Sequence, residues 1–172
     1  MNFFEFFYRS LRRIYILIFK PFDYLFTYLK FIGNGVNFST FKTSGQPFVM
    51  VARGGKFNIL SDFKINNNHR SNPIGRPQKC SFVVDTNAIL EIGKNVGLSS
   101  VAIVCHRRIL ISDDVIIGGG TCIYDTDFHS TDPFHRNDNL LDKKNKKSKE
   151  IIIKNNVFIG AHCTILKGVI IG

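Results

Sequence analysis

The stretch Ile111-Ser112-Asp113-Asp114-Val115-Ile116-Ile117-Gly118-Gly119-Gly120-Thr121-Cys122-Ile123 decides the fold. Ile111, Ile117 and Ile123 recur every six residues, as do Ile153, Ile159, Ile165 and Ile171. Ile123 and Ile153 are thirty residues apart, five sixes, so the two blocks stay in phase. Upstream, Ile92, Leu98 and Val104 share the spacing and slip by one residue before Ile111. A small residue follows the aliphatic at Gly93, Ser99, Ser112, Gly118, Gly160 and Gly172. A small or β-branched residue comes four after it at Val96, Ala102, Val115, Thr121, Val157, Cys163 and Val169. Strand side chains alternate faces every two residues, so six residues make one short strand plus a corner. Stacked coils then place aliphatic on aliphatic inside a tube, while Gly, Ser or Asn lets the corner bend. Antiparallel strands also fit a period of six, but they give no reason for the two accompanying small positions. The expectation is an all-β chain, a parallel β-helix of hexapeptides.

Around this block the chain divides in two. Residues 1–31 are aromatic and basic: Phe3, Phe4, Phe6, Phe7 and Tyr8 precede Leu11, Ile14 and Leu17, interrupted by Arg9, Arg12, Arg13 and Lys20. The run from Ile14 to Phe19, unmatched in length there except by Tyr24 to Leu29, carries no charge and is far too short to span a bilayer. An amphipathic helix broken near Pro21 is expected, lying at a membrane interface or packed over the solenoid's end. Residues 32–172 form the β-helix domain. Phe57, Ile59, Phe63 and Ile65 mark degenerate early coils, Gly75-Arg76-Pro77 a loop, and the regular coils begin near Phe82. The chain stops at Ile171-Gly172, midway through a coil, and is expected to be incomplete at that end.

Of the 172 residues 44% are hydrophobic, enough for a sizeable core, and 23 basic residues against 13 acidic leave a net charge of +10. Such a balance suits an anionic partner: a nucleotide-bearing substrate or a membrane surface. Nucleic acid is disfavoured, because the basic residues are split between the N-terminus and one loop and no motif accompanies them. Cys80, Cys105, Cys122 and Cys163 lack CxxC spacing and read as small core residues of a reducing compartment. No small-residue cleavage site follows the apolar start, so the chain is expected in the cytoplasm, peripherally at the inner membrane face if the helix touches lipid.

Between Ile123 and Ile153 the period vanishes for 29 residues. Long excursions from a solenoid sit on one face and carry function. This one opens Ile123-Tyr124-Asp125-Thr126-Asp127-Phe128-His129-Ser130-Thr131-Asp132-Pro133 and later runs from Asp142 to Glu150 with five lysines, read as a solvated loop. Here the sequence resembles the hexapeptide-repeat acyltransferases. The nearer likeness is to the branch holding maltose and galactoside O-acetyltransferases and enzymes that acetylate bacterial surface polysaccharides. The segments that carry it are Leu90 to Val96, Ile111 to Gly120, the His129 segment and Asn155 to Gly160, within residues 82–172.

The resemblance implies a left-handed β-helix, a homotrimer, acetyl-CoA as donor and no metal. It maps the family's catalytic histidine onto His129, just before Asp132-Pro133. A neutral imidazole there would take the proton of a sugar hydroxyl as it attacks the thioester directly, with backbone N–H groups at the subunit junction stabilising the oxyanion. Asp125, Asp127 and Asp132 are candidates to orient the imidazole or hold the acceptor. Ser100 stands in for the family's acceptor-binding Asn, and Phe158 stands where relatives carry Trp beside the cofactor. Gly160, Ala161 and Lys167 are the remaining donor-site candidates, Lys167 for a CoA phosphate.

The leading expectation is thus O-acetylation of a saccharide, a surface-polysaccharide precursor. N-acetylation of an amino-sugar or antibiotic amine, and an inactive trimeric scaffold or glycan-binding module, stay open as alternatives. A zinc enzyme of the carbonic-anhydrase type shares the fold, but among His69, His106, His129, His135 and His162 only His129 and His135 are close in sequence.

Overall fold

A computed structural model describes residues 2–68, 72–74 and 78–172, the side chains of Tyr15 and Ile16 excepted. His69 and the expected Gly75-Arg76-Pro77 loop lie outside the described residues. Helix α1 (Phe3–Gly33) leads into short strands: β1 (Asn37–Phe38), β2 (Phe41–Ser44), β3 (Phe48–Val51), β4 (Lys56–Ile59), β5 (Phe63–Asn66) and β6 (Ser81–Val84). The chain continues through β7 (Ile89–Ile92), β8 (Gly97–Ser99), β9 (Ala102–Cys105), β10 (Arg108–Ile111), β11 (Ile116–Ile117) and β12 (Cys122–Tyr124). Two short helices follow, α2 (Pro133–Arg136) and α3 (Asn139–Asn145), then β13 (Ile151–Ile153), β14 (Phe158–Ile159), β15 (Thr164–Leu166) and β16 (Ile170–Ile171).

Every third strand pairs in parallel, giving three sheets: β1-β4-β7-β10-β13-β16, β2-β5-β8-β11-β14 and β3-β6-β9-β12-β15. This is a parallel β-helix, and the coils begin at β1, well ahead of Phe82. Ile152 pairs with Ile170, one eighteen-residue coil later. Leu90 and Ile92 stack on Ile109 and Ile111, and these on Ile151 and Ile153, all within the buried core. One column differs from the expected beat: Ile103, not Val104, is buried and stacks on Ile123, while Val104 faces outward beside Tyr124. The coil is one residue short between Leu98 and Ile103 and more than makes up the length at His106-Arg107, which bulges at the next corner, so that Ile92 and Ile111 stand 19 residues apart.

The corners explain the polar residues of the repeat. Asp62, Asn95, Asp114 and Asn156 take left-handed φ between 52° and 62° and stack, the amides of Asn95, Asp114 and Asn156 each donating to a carbonyl of the coil before. Asn and Asp tolerate that conformation because their short polar side chains bond locally. Gly118 has a different reason: a Cβ there would come within 2.6 Å of the Ala161 nitrogen in the next coil.

Helix α1 runs unbroken through Pro21, correcting the expected break. Proline removes one helical hydrogen bond, and the docking of the following turns holds the helix despite it. Tyr24 stacks on Phe41 at 4.6 Å, the Asp23 carboxylate accepts from Gly45 N–H at 2.7 Å, and the Lys30 ammonium donates to the Pro47 carbonyl at 3.0 Å. Phe31 is fully buried against Phe38, Phe41 and Phe57 and plugs the open end of the core. Burying one such ring contributes about 1.5–3 kcal/mol. No helix among the described residues is long and apolar enough to cross a membrane.

Candidate functional site

The excursion leaves the tube after β12 and is closed at its neck by an antiparallel bridge between Thr126 and Ser148. Asp132 caps α2, accepting from Phe134 N–H at 2.9 Å, with Pro133 at the first helical position. Asp138 caps α3, accepting from Leu140 and Leu141 N–H. Carboxylates at these ends satisfy amides that have no partner within the helix.

Phe128 holds a left-handed φ of 63°, an unfavourable conformation for a residue with a Cβ. Its ring meets Tyr124 at 5.2 Å and His106 at 5.9 Å, edge to face, and those contacts offset the strain. The turn so formed sends His129 outward, its N–H donating to the Asp127 carbonyl at 2.7 Å.

One carboxylate fixes the imidazole. Asp142 of α3 has one oxygen 2.7 Å from His129 Nδ1 and the other accepting from Ser130 N–H at 2.6 Å. His129 is 71% exposed and the Asp142 side chain 13%. The bond from His129, then the Ser130 amide, hold the Asp142 carboxyl below its ordinary value. An ionised carboxylate on Nδ1 selects the tautomer with the proton there and leaves Nε2 as an outward-facing base. Asp142 was not among the acidic residues expected beside His129.

Those three residues have other contacts. Asp125 is fully buried and accepts from the N–H groups of His106, Arg107 and Arg108 at 2.6–2.8 Å, so it staples the bulged corner. Beside it the Cys105 thiol is pushed up, first by burial and then by the Asp125 charge. Asp132 is the α2 cap. Asp127 pairs one oxygen with Lys167 Nζ at 2.6 Å, while its other oxygen is buried without a partner among the described residues. Lys167 follows β15, the strand stacked on β12, so the pair joins the excursion's root to the next coil.

Lys167 also lines a cleft of about 630 Å³ with Arg107, Lys146, Lys147, Lys149, Ser148 and Glu150. Glu150, its only acid, lies 3.5 Å from Arg108 outside the cleft. Lys146 Nζ sits 3.0 Å from His106 Nδ1; burial first, and then this ammonium, lower the His106 pKa. His135 stays within its own loop, 3.2 Å from Ser130 Oγ.

The remaining candidates stand elsewhere. Phe158 is 75% exposed on the outer face of β14, beside the exposed Ile116. Gly160 and Ala161 turn the corner into β15, and a Cβ at Gly160 would meet nothing within 4 Å. Ser100 turns the same corner earlier, at φ 51°, its carbonyl accepting from Gly120 N–H and the Gln78 side chain. Within one chain the His129 corner and the Phe158–Ala161 corner flank the sheet that contains β12. Among the described residues no three His, Cys, Asp or Glu side chains are grouped to hold a metal ion.

A scan of protein-family models, a search of curated proteins and a search of solved structures each found no match to this chain.

Proposed function

We propose that the chain is an acetyl-CoA-dependent O-acetyltransferase of the hexapeptide-repeat type, acting on a saccharide hydroxyl of a surface-polysaccharide precursor. The observation that carries this reading is the clamp of Asp142 on His129 Nδ1 at the root of an excursion from a parallel β-helix. Nε2 of the neutral ring takes the hydroxyl proton as the oxygen attacks, which is general-base catalysis. Asp127, two residues away, is held by Lys167 at 2.6 Å and so braces the backbone that carries His129. Acetyl-CoA, when bound, supplies an acyl group already activated as a thioester. The residues present fit it: exposed Phe158 and Ile116 offer an apolar strip for the pantetheine arm, and the cationic cleft at Lys167 suits phosphate.

Left-handed coiling and a homotrimer belong to the same reading. What supports assembly is the outer face of the sheet containing β12, where Met50, Val83, Val104, Tyr124 and Leu166 align in one uncharged column. A second copy packed on that face would bring its Phe158–Ala161 corner to this chain's His129, which the fold of one chain leaves apart.

The test is transfer from acetyl-CoA to a panel of de-acetylated surface glycans, read as free thiol and product mass. The His129→Ala chain should lose about 10²–10⁴-fold in rate. A variant as active as the parent would remove His129 from the chemistry. Product stable to hydroxylamine would be an amide and would turn the assignment to N-acetylation.

A further inference from the structure

The first two-thirds of α1 stands clear of the solenoid: from Asn2 to Phe22 every described side chain is exposed except the partly covered Ser10. At about 100° per residue, Phe4, Phe7, Leu11, Ile14, Ile18 and Phe22 fall on one stripe. The stripe carries on through Leu25, Leu29 and Ile32, and its members are 48–78% exposed. Thr27 and Phe31, which dock on the solenoid, lie on the opposite arc and are fully buried. On that opposite arc, ahead of them, stand Arg9, Arg12, Arg13 and Lys20, with Glu5 the one acid before Asp23. Lys20 continues the positive charge into a cleft with Lys42 and Lys64.

We propose that α1 is a docking surface for an anionic bilayer, lying in the plane of the headgroups with this stripe in the acyl boundary. Two features select lipid over a second copy of the helix. A paired helix buries a seam of two residues in seven. Here Phe3 and Tyr8 are also exposed beside the stripe and Leu17 farther round one flank, an apolar arc that a bilayer covers and one partner helix does not. The charged arc holds four cations against one acid before Asp23, so copies laid side by side would repel, whereas an anionic surface attracts them. Docking leaves the solenoid standing off the surface, because the stripe faces away from the end that Phe31 plugs. The inference does not depend on the chemistry at His129.

The test is co-sedimentation of the full chain with vesicles of phosphatidylcholine, with and without phosphatidylglycerol. Binding should require the anionic lipid and weaken with salt. Reversing three charges together (Arg9→Glu, Arg12→Glu, Arg13→Glu) should lower affinity for anionic vesicles about 100-fold. The pair Leu11→Glu and Ile14→Glu should abolish binding, with helicity and the docked end unchanged because these residues touch nothing in the solenoid. Equal binding by parent and both variants overturns the proposal. So does a parent that ignores vesicles, while Leu11→Glu with Ile14→Glu lowers its mass in sedimentation velocity, since the stripe would then be covered by a second copy.

Discussion

At the scale of single residues, the clamp on His129 has a pH dependence with a definite sign. Asp142 is depressed by its bonds to His129 and Ser130. A depressed carboxyl stabilises the fold fully above its unfolded value, 3.8, and loses that contribution as pH falls through the lower folded value. Protonation of Asp142 should therefore move the Ser130 amide resonance at a pH below the ordinary carboxyl value. Asp142→Ala should shift that resonance at all pH values and slow acetyl transfer less than His129→Ala does; an unmoved resonance would remove Asp142 from the clamp. The site was legible in the sequence only in part, and the reason is distance along the chain. His129 sits where the beat of six stops, so its own position is readable. Asp142 reaches it from thirteen residues on, across two helices with no periodicity to follow. Asp125 and Asp132 stand closer in sequence, but three corner amides claim the one and a helix end claims the other. Spacing alone carries no mark of that competition for a carboxylate.

Among the elements, the coil is a strand plus a corner, and corners are where stacking is least forgiving. Gly118 and Gly160 occupy equivalent places in successive coils and differ in what a methyl group would meet. At Gly118 it would press on the backbone of Gly160 and Ala161, so the coils must part. Gly118→Ala should cost about 1–3 kcal/mol, as overpacking does. Gly160→Ala should stay within about 0.5 kcal/mol, because nothing lies near its Cβ. Denaturant melts of the two variants check this, and equal losses would mean that the coil-to-coil approach at Gly118 does not limit stacking. Most of the strand order was readable because aliphatics at a fixed spacing can serve only one inward column. The misreadings have local causes. Ile103 and Val104 are both β-branched and adjacent, and only the bulge at His106-Arg107, stapled from the following coil by Asp125, decides which one turns inward. Pro21 reads as a break until the aromatic docking of Tyr24 and Phe31 is known.

For the whole molecule, the three outer faces differ enough to divide the work. The β2 sheet carries Lys42 and Lys64 near α1 and exposed apolar Ile116 and Phe158 at its far end. The β1 sheet is laced by charge, with Arg108 held between Glu91 at 2.8 Å and Glu150 at 3.5 Å. The β3 sheet presents Phe48, Ser81, Ala102, Cys122 and Thr164 beside the Met50–Leu166 column, with no charge in its paired strands. The proposed assembly is assigned to this face because it is uncharged over five strands. Val104 stands at the middle of that face and points away from the core, so a carboxylate there leaves the coil stack intact and opposes only a neighbour. Val104→Glu should lower the mass in sedimentation velocity from the assembly to one chain while preserving the circular dichroism spectrum. Transfer should be lost with it, because the Phe158–Ala161 corner of a second copy would no longer reach His129. Lys64→Glu, on another sheet, should leave mass and transfer as they were. If Val104→Glu kept both, the β3 sheet would not be the contact face, and His129 would have to find its donor within one chain.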